Sequence, residues 1–123
     1  MKKVLIVDDE FEFTKDFAKA ICLFGYEAYQ AGDGESALSI IENKQPDVVF
    51  CDYKLPDMDG DKILELAKAR HPAIKFVVVT AYYDETVEKR LRNLGADEVM
   101  FKPIVLIDAE ALLEKLLTKK KNI

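Results

Sequence analysis

Five short apolar runs alternate with helix-like patterns along the chain. Three of the runs are nearly continuous rather than alternating, which is typical of strands buried on both faces. The runs span residues 4–7, 27–31, 48–51, 76–79 and 99–101. Between them, apolar residues recur at helical spacing, as at Phe13, Phe17 and Ile21. This order predicts a single doubly wound (βα)5 domain of the α/β class, with a parallel five-stranded sheet of strand order 2-1-3-4-5.

Turn and cap residues mark where the predicted helices begin and end. Gly25 and Gly95 follow the first and fourth helix patterns, where a glycine is the usual stop. Asp33, Asp84 and Asp108 precede or open the second, fourth and fifth patterns, and we expect them to be N-caps. These boundaries leave no linker inside the chain.

Composition and charge narrow the function classes. The net charge of −5 argues against direct nucleic acid binding, which needs a basic face. The first apolar run is too short for a signal peptide or a membrane span, so a cytoplasmic location without membrane contact is expected. Cys22 and Cys51 form no disulfide or zinc pattern, and both are expected in the core. The apolar run 105–107 is also interpreted as core, in preference to an exposed patch for a partner.

Polar side chains follow four of the five predicted strands at their carboxyl ends. Asp8 and Asp9 follow the first strand, Asp52 the third, Thr80 the fourth and Lys102 the fifth. In such a sheet ligands bind beyond the carboxyl ends of the strands, where the winding direction changes between strands 1 and 3. The sequence therefore predicts that these five side chains meet at one edge.

The chemistry of that group indicates a phosphoryl site. Three carboxylates so close together must share a proton or hold a cation, and oxygen ligands favour a hard divalent ion such as Mg²⁺. The charge of Lys102 and the hydroxyl of Thr80 suit a phosphoryl dianion. Asp52 is the lone acid on the central strand, and it is the best candidate for a nucleophile that carries an aspartyl-phosphate.

Four segments together resemble the receiver domain of two-component response regulators (CheY-like). They read LIVDDE, CDYKLPDMDG, VVVTAY and GADEVMFKP, and each lies at a predicted strand end. The resemblance covers about residues 2–118. It implies a flavodoxin-like receiver domain over residues 1–118, followed by a basic tail over 119–123.

The resemblance also implies a ligand set. Asp52 is implied to be the phosphoacceptor, with Asp9 and Asp52 as direct Mg²⁺ ligands and Asp8 holding metal-bound water. The backbone carbonyl of Lys54 is implied to be the third protein ligand. Lys102 is implied to be the salt-bridge partner, with a cis peptide bond to Pro103.

One position of the implied switch departs from the family. Thr80 resembles the switch hydroxyl, but Val99 stands where receivers usually carry an aromatic ring. Phe101, two residues further along the same strand, is not expected to replace that ring. Tyr82 or Tyr83 is the candidate to supply a ring from the loop.

The resemblance implies a signalling switch that catalyses its own phosphoryl transfer and autodephosphorylation. A sensor histidine kinase or a histidine phosphotransfer protein would donate the phosphoryl group. Phosphorylation would then change the face formed by helix 4, strand 5 and helix 5. That face would bind an output partner or a second copy. Long side chains at Lys54 and Tyr82 favour slow autodephosphorylation.

Other interpretations use the same residues differently. The first is a pseudo-receiver, an interaction module that is never phosphorylated. The second is an aspartyl-nucleophile phosphohydrolase, although such enzymes of the haloacid dehalogenase type need DxD, where this chain has Asp8-Asp9-Glu10. Residues 32–37 imitate a dinucleotide fingerprint, but they follow a predicted edge strand and read as a helix entry. Asp57, Asp59 and Asp61 are expected to serve the turn and helix start rather than the metal.

Overall fold

The computed structural model describes residues 1–118, and its elements alternate strictly between strand and helix. The predicted basic tail, 119–123, lies outside the described residues. Among the described residues, no helix has the length and apolar character needed to cross a bilayer. The elements are β1 Lys3–Val7, α1 Phe11–Leu23, β2 Glu27–Ala31, α2 Gly34–Lys44, β3 Val48–Asp52, α3 Gly60–Arg70, β4 Lys75–Thr80, α4 Glu85–Asn93, β5 Glu98–Phe101 and α5 Leu106–Leu117.

The five strands form one parallel sheet in the order β2-β1-β3-β4-β5, which confirms the predicted fold. Every residue of β3 is buried, because both faces of the central strand are covered. On one face Phe50 packs with Phe17 of α1 and with residues of α5. On the other face Phe76 belongs to a core shared with Ile63 of α3 and Leu91 of α4. Adjacent strand residues point to opposite faces, so both must be apolar.

The helix ends follow the predicted chemistry at four positions. Asp33 accepts a hydrogen bond from the N–H of the third residue after it, and Asp84 accepts from the second and third. Gly25 and Gly95 end α1 and α4 with φ values of +100° and +111°, a region that favours glycine.

Three sequence predictions about the helices are wrong. Helix α5 begins at Leu106 with Val105 as its cap, so Asp108 lies inside the first turn rather than at the N-cap. Val105, Leu106 and Ile107 are 52%, 48% and 72% exposed, because the buried stripe of α5 begins only at Ala109. Cys22 is exposed, since the buried face of α1 ends with Ile21, whereas Cys51 is buried as expected.

Candidate functional site

Strand pairing brings three carboxylates together at the carboxyl edge of the sheet. Val7 pairs with Cys51 in the register of β1 and β3, so the acids that follow them lie side by side. One carboxylate oxygen from each of Asp8, Asp9 and Asp52 lies within 4.8 Å of the others. Asp8 and Asp52 are 2% and 8% exposed, whereas Asp9 is open to solvent. The cluster is therefore buried on one side and accessible on the other.

Lys102 reaches this cluster from β5. Its Nζ donates to Asp8 Oδ2 at 3.0 Å and to Asp52 Oδ2 at 3.1 Å, and it lies 3.8 Å from Glu10 Oε1. The peptide bond between Lys102 and Pro103 is cis, as the sequence resemblance implied. The structure thus brings one ammonium group between the two buried acids.

Burial and the ion pair between Lys102 and Asp52 shift the pKa values of these two groups in opposite directions. Burial raises the pKa of Asp52 above its ordinary value; the hydrogen bond from Lys102 opposes this shift, and the nearby Asp8 charge adds to it. Burial alone would lower the pKa of Lys102, but its hydrogen bonds to Asp8 and Asp52 raise it above the ordinary value. The ammonium group therefore stays charged. Three carboxylates and one ammonium leave a formal charge of −2, which a divalent cation would neutralise.

The donor set fits a hard divalent cation. All three side chains offer carboxylate oxygens, which Mg²⁺ and Ca²⁺ prefer to nitrogen or sulfur. The exposure of Asp9 leaves one side open to water, and Mg²⁺ usually keeps several waters. Lys54 follows closely on the β3–α3 loop, and its backbone N–H lies 3.4 Å from Asp52 Oδ1.

The β3–α3 loop is closed at its base, next to Asp52. The N–H of Gly60 donates to the carbonyl of Tyr53 at 2.7 Å, and Lys54 pairs with Asp59 across the loop. A Cβ atom at Gly60 would lie only 2.7 Å from the backbone oxygen of Asp52. Glycine is therefore required here by a close approach between two backbone segments.

Thr80 lies at the rim of a cleft on the β4 side of Asp52. The cleft has a volume of about 380 Å³ and opens among Asp52, Lys54, Tyr82 and Lys102. The Thr80 hydroxyl accepts from the N–H of Tyr82 at 3.2 Å and lies 3.3 Å from the Tyr82 carbonyl. The cleft thus brings a hydroxyl, a lysine and a buried carboxylate to one opening.

An aromatic pair lies on the outer side of this rim. Val99, which stands where the resemblance implies an aromatic ring, is buried. Phe101 is 39% exposed, and its ring contacts that of Tyr83 edge-on, with centroids 5.4 Å apart. The loop ring that contacts β5 is thus Tyr83, and Tyr82 lies exposed at the cleft.

Two sets of hydrogen bonds around the site cannot be predicted from the sequence. Asp57 accepts hydrogen bonds from backbone N–H groups at the start of α2, more than 20 residues earlier in the chain. Arg90 of α4 donates to Asp61 at 2.6 Å and to the Tyr53 hydroxyl at 2.8 Å. Neither pairing has a signal in the local sequence, because both join segments far apart along the chain.

A family model and several known proteins match most of this chain. The family model of the response regulator receiver domain matches residues 4–117. The chain is 32% identical over 121 residues to sporulation initiation phosphotransferase F of Bacillus subtilis (strain 168), and the alignment covers 98% of each. It is 34% identical over 124 residues to the transcriptional regulatory protein PdtaR of Mycobacterium tuberculosis (strain CDC 1551 / Oshkosh), covering 99% of this chain and 60% of that protein.

Solved structures agree with these matches. The response regulator receiver domain protein (CheY-like) from Methanospirillum hungatei JF-1 superposes with a TM-score of 0.89 at 34% identity, covering 94% of both chains. The chemotaxis protein CheY4 of Vibrio cholerae has a TM-score of 0.89 at 24% identity, covering 95% of this chain and 99% of that one, which supports the fold alone. The chain spans 98% of phosphotransferase F but between 25% and 60% of other curated relatives.

Proposed function

The chain belongs to the response regulator receiver domain family of two-component systems, and we propose that it is a switch phosphorylated on Asp52 in a Mg²⁺-dependent reaction. One observation carries this proposal. A single ammonium group, that of Lys102, lies within 3.1 Å of the buried carboxylates of both Asp8 and Asp52. A dianion that arrives at Asp52 would meet a positive charge already in place.

In the proposed reaction the Asp52 carboxylate is the nucleophile. One of its oxygens attacks phosphorus, an O–P bond forms, and the P–N bond to the imidazole of a phosphohistidine donor breaks. The imidazole nitrogen keeps the electron pair and is protonated as it leaves. Lys102 would neutralise charge on the phosphoryl oxygens, and the Thr80 hydroxyl would hydrogen-bond to the product.

The acid cluster would hold Mg²⁺ for this reaction. Asp9 and Asp52 would bind it directly, Asp8 would orient bound water, and the backbone carbonyl of Lys54 would complete the protein ligands. The bound cation would supply charge neutralisation to the transferring phosphoryl group. The formal charge of −2 on three carboxylates and Lys102 supports a divalent ion over a monovalent one.

Receiver domains of response regulators interact with histidine kinases or phosphotransfer proteins. The proposed donor for this chain is therefore a sensor histidine kinase or a histidine phosphotransfer protein. The B. subtilis relative is itself called a phosphotransferase, and this chain covers nearly its full length. That likeness supports a role in passing phosphoryl groups between proteins.

Phosphorylation would be transmitted through the β4–α4 loop. To donate a hydrogen bond to a phosphoryl group on Asp52, the Thr80 hydroxyl must give up its hydrogen bond to the Tyr82 carbonyl. Movement of that loop would carry Tyr83 with it and disturb the ring contact with Phe101. The face formed by α4, β5 and α5 would change shape and bind an output partner or a second copy of the chain.

Intact-mass measurement after incubation with acetyl phosphate and Mg²⁺ tests the proposal. The wild-type protein is expected to gain one phosphoryl mass, which is lost in Asp52→Asn and in buffer containing EDTA. Asp59→Asn is the matched control, because Asp59 lies on the same loop but pairs with Lys54 rather than with the cluster. No gain of mass in the wild type would favour an interaction module that is never phosphorylated.

A further inference from the structure

The β3–α3 loop is attached to the start of α2 through one side chain. Asp57 Oδ1 accepts from the N–H of Gly34 at 2.7 Å, and Oδ2 accepts from the N–H of Glu35 at 2.9 Å. Beside these bonds Met58 lies directly against Gly34, where an added Cβ would come within 2.4 Å of Met58 Cγ. Polar and apolar contacts thus join the same two segments.

Capping alone does not account for this contact. Helix α2 already has a local cap, because Asp33 Oδ1 accepts from the N–H of Ser36 at 2.8 Å. A second cap from 23 residues further along the chain must order a whole loop to reach the helix. The distinctive consequence of the Asp57 contact is that it fixes one loop against another.

Both loops joined by Asp57 lead directly to the acid cluster. On one side, β2 ends at Ala31, whose carbonyl accepts from the N–H of Asp8 at 3.0 Å. On the other side, Lys54 is the second residue of the loop, and its N–H lies 3.4 Å from Asp52 Oδ1. Lys102 then joins Asp52 to Asp8. Together with the backbone of the two loops, these contacts form a closed ring, and Asp57 is the residue that joins one loop to the other.

We propose that Asp57 is a positioning residue that holds the β3–α3 loop, and with it Lys54, in register with the acid cluster. This inference rests on the proposed function. The charge of Asp57 is maintained, because hydrogen bonds from Gly34 and Glu35 hold the pKa of its carboxyl below the usual range. Loss of the side chain would release the tip of the loop while leaving every proposed ligand in the chain.

Asp57→Ala and Asp33→Ala form a matched pair that separates positioning from capping. Each removes one carboxylate from the start of the same helix, but only Asp57 belongs to the ring. In metal-free protein, amide hydrogen exchange at Lys54 is expected to accelerate in Asp57→Ala and to stay unchanged in Asp33→Ala. Mg²⁺ affinity, followed by amide shifts of residues 52–54, is expected to fall about tenfold in Asp57→Ala only. Phosphoryl uptake from acetyl phosphate should slow in parallel.

Equal behaviour of the two variants in all three measurements would overturn the proposal and leave Asp57 as a second helix cap. If Asp57→Ala does not fold, Asp57→Asn decides the question, because it keeps one acceptor oxygen. A larger loss of Mg²⁺ affinity than in Asp33→Ala supports positioning, and an equal loss overturns it. Absence of Mg²⁺ uptake in the wild type would instead count against the proposed function, and hydrogen exchange at Lys54 would still decide whether Asp57 holds the loop.

Discussion

Removal of the Lys102 ammonium group tests the charge balance at the edge of the sheet. In Lys102→Met the aliphatic stem stays, but Asp8 and Asp52 lose the group that lies 3.0 and 3.1 Å from their Oδ2 atoms. Both acids are almost fully buried, at 2% and 8% exposure. Two carboxylates would then face each other with little water between them, which lowers the free energy of unfolding in the absence of Mg²⁺.

The size of this loss follows from the geometry of Lys102. Breaking a fully buried ion pair by removing one partner costs about 3–5 kcal/mol. The Lys102 side chain is 23% exposed, so solvent screens part of the interaction. We therefore expect a loss of about 2–3 kcal/mol. With a urea m-value of about 2 kcal/mol/M for a domain of this size, the unfolding midpoint should fall by about 1–1.5 M.

Urea unfolding followed by circular dichroism, in buffer containing EDTA, measures the effect. Lys89→Met is the matched control, because Lys89 pairs with Glu85 on an exposed face of α4 at 3.3 Å. Loss of that pair should cost no more than about 0.5 kcal/mol. Adding Mg²⁺ is expected to narrow the gap between Lys102→Met and the wild type, since the cation takes over neutralisation of the acids. Equal midpoints for the two lysine variants in EDTA would refute the reasoning.

Three further predictions concern other contacts. Asp97→Ala removes the carboxylate 2.9 Å from Lys68 Nζ, and we expect urea unfolding to show a loss of about 2 kcal/mol while phosphoryl uptake is unchanged. Lys54→Ala and Tyr82→Ala should shorten the lifetime of the phosphoryl group, because both long side chains line the cleft and hinder water; a wild-type half-life of seconds in a phosphate-release assay would contradict this. Backbone N–H groups at the start of α2 hold the pKa of Asp57 below its usual range. The ionised carboxylate therefore adds to the free energy of unfolding above the unfolded pKa of about 3.9. This added stability is lost as the pH falls through the lower pKa of the folded state. The stability gap between wild type and Asp57→Asn should therefore close below about pH 4, whereas a gap independent of pH would exclude a role for the charge.

The sheet and its polar edge can be predicted from short patterns in the sequence. A strand buried on both faces must be apolar at successive positions, as Val48–Cys51 shows, and parallel strands align their carboxyl ends. The meeting of Asp8, Asp52 and Lys102 is therefore predictable once the strand order is known. Their chemical roles are a separate matter and rest on the proposed function.

Other features depend on information that local patterns do not contain. The run Val105–Ile107 is apolar, but its exposure depends on where α5 begins relative to its buried stripe, and Asp108 suggested a later start. Cys22 differs from Ile21 only by one step around α1, which turns it towards solvent. The partner of Asp57 is set by the packing of two loops, so its own neighbours in the sequence give no indication of it.

The contact between Lys102 and Asp8 joins residues 94 positions apart. During synthesis, Asp52 emerges from the ribosome long before Lys102 and has no ammonium partner until β5 docks at the edge of the sheet. The arrangement of two buried acids around one ammonium group therefore forms only when β5 is in place. Fraying of that four-residue strand would withdraw Lys102 and leave the two buried acids without the ammonium group that they share.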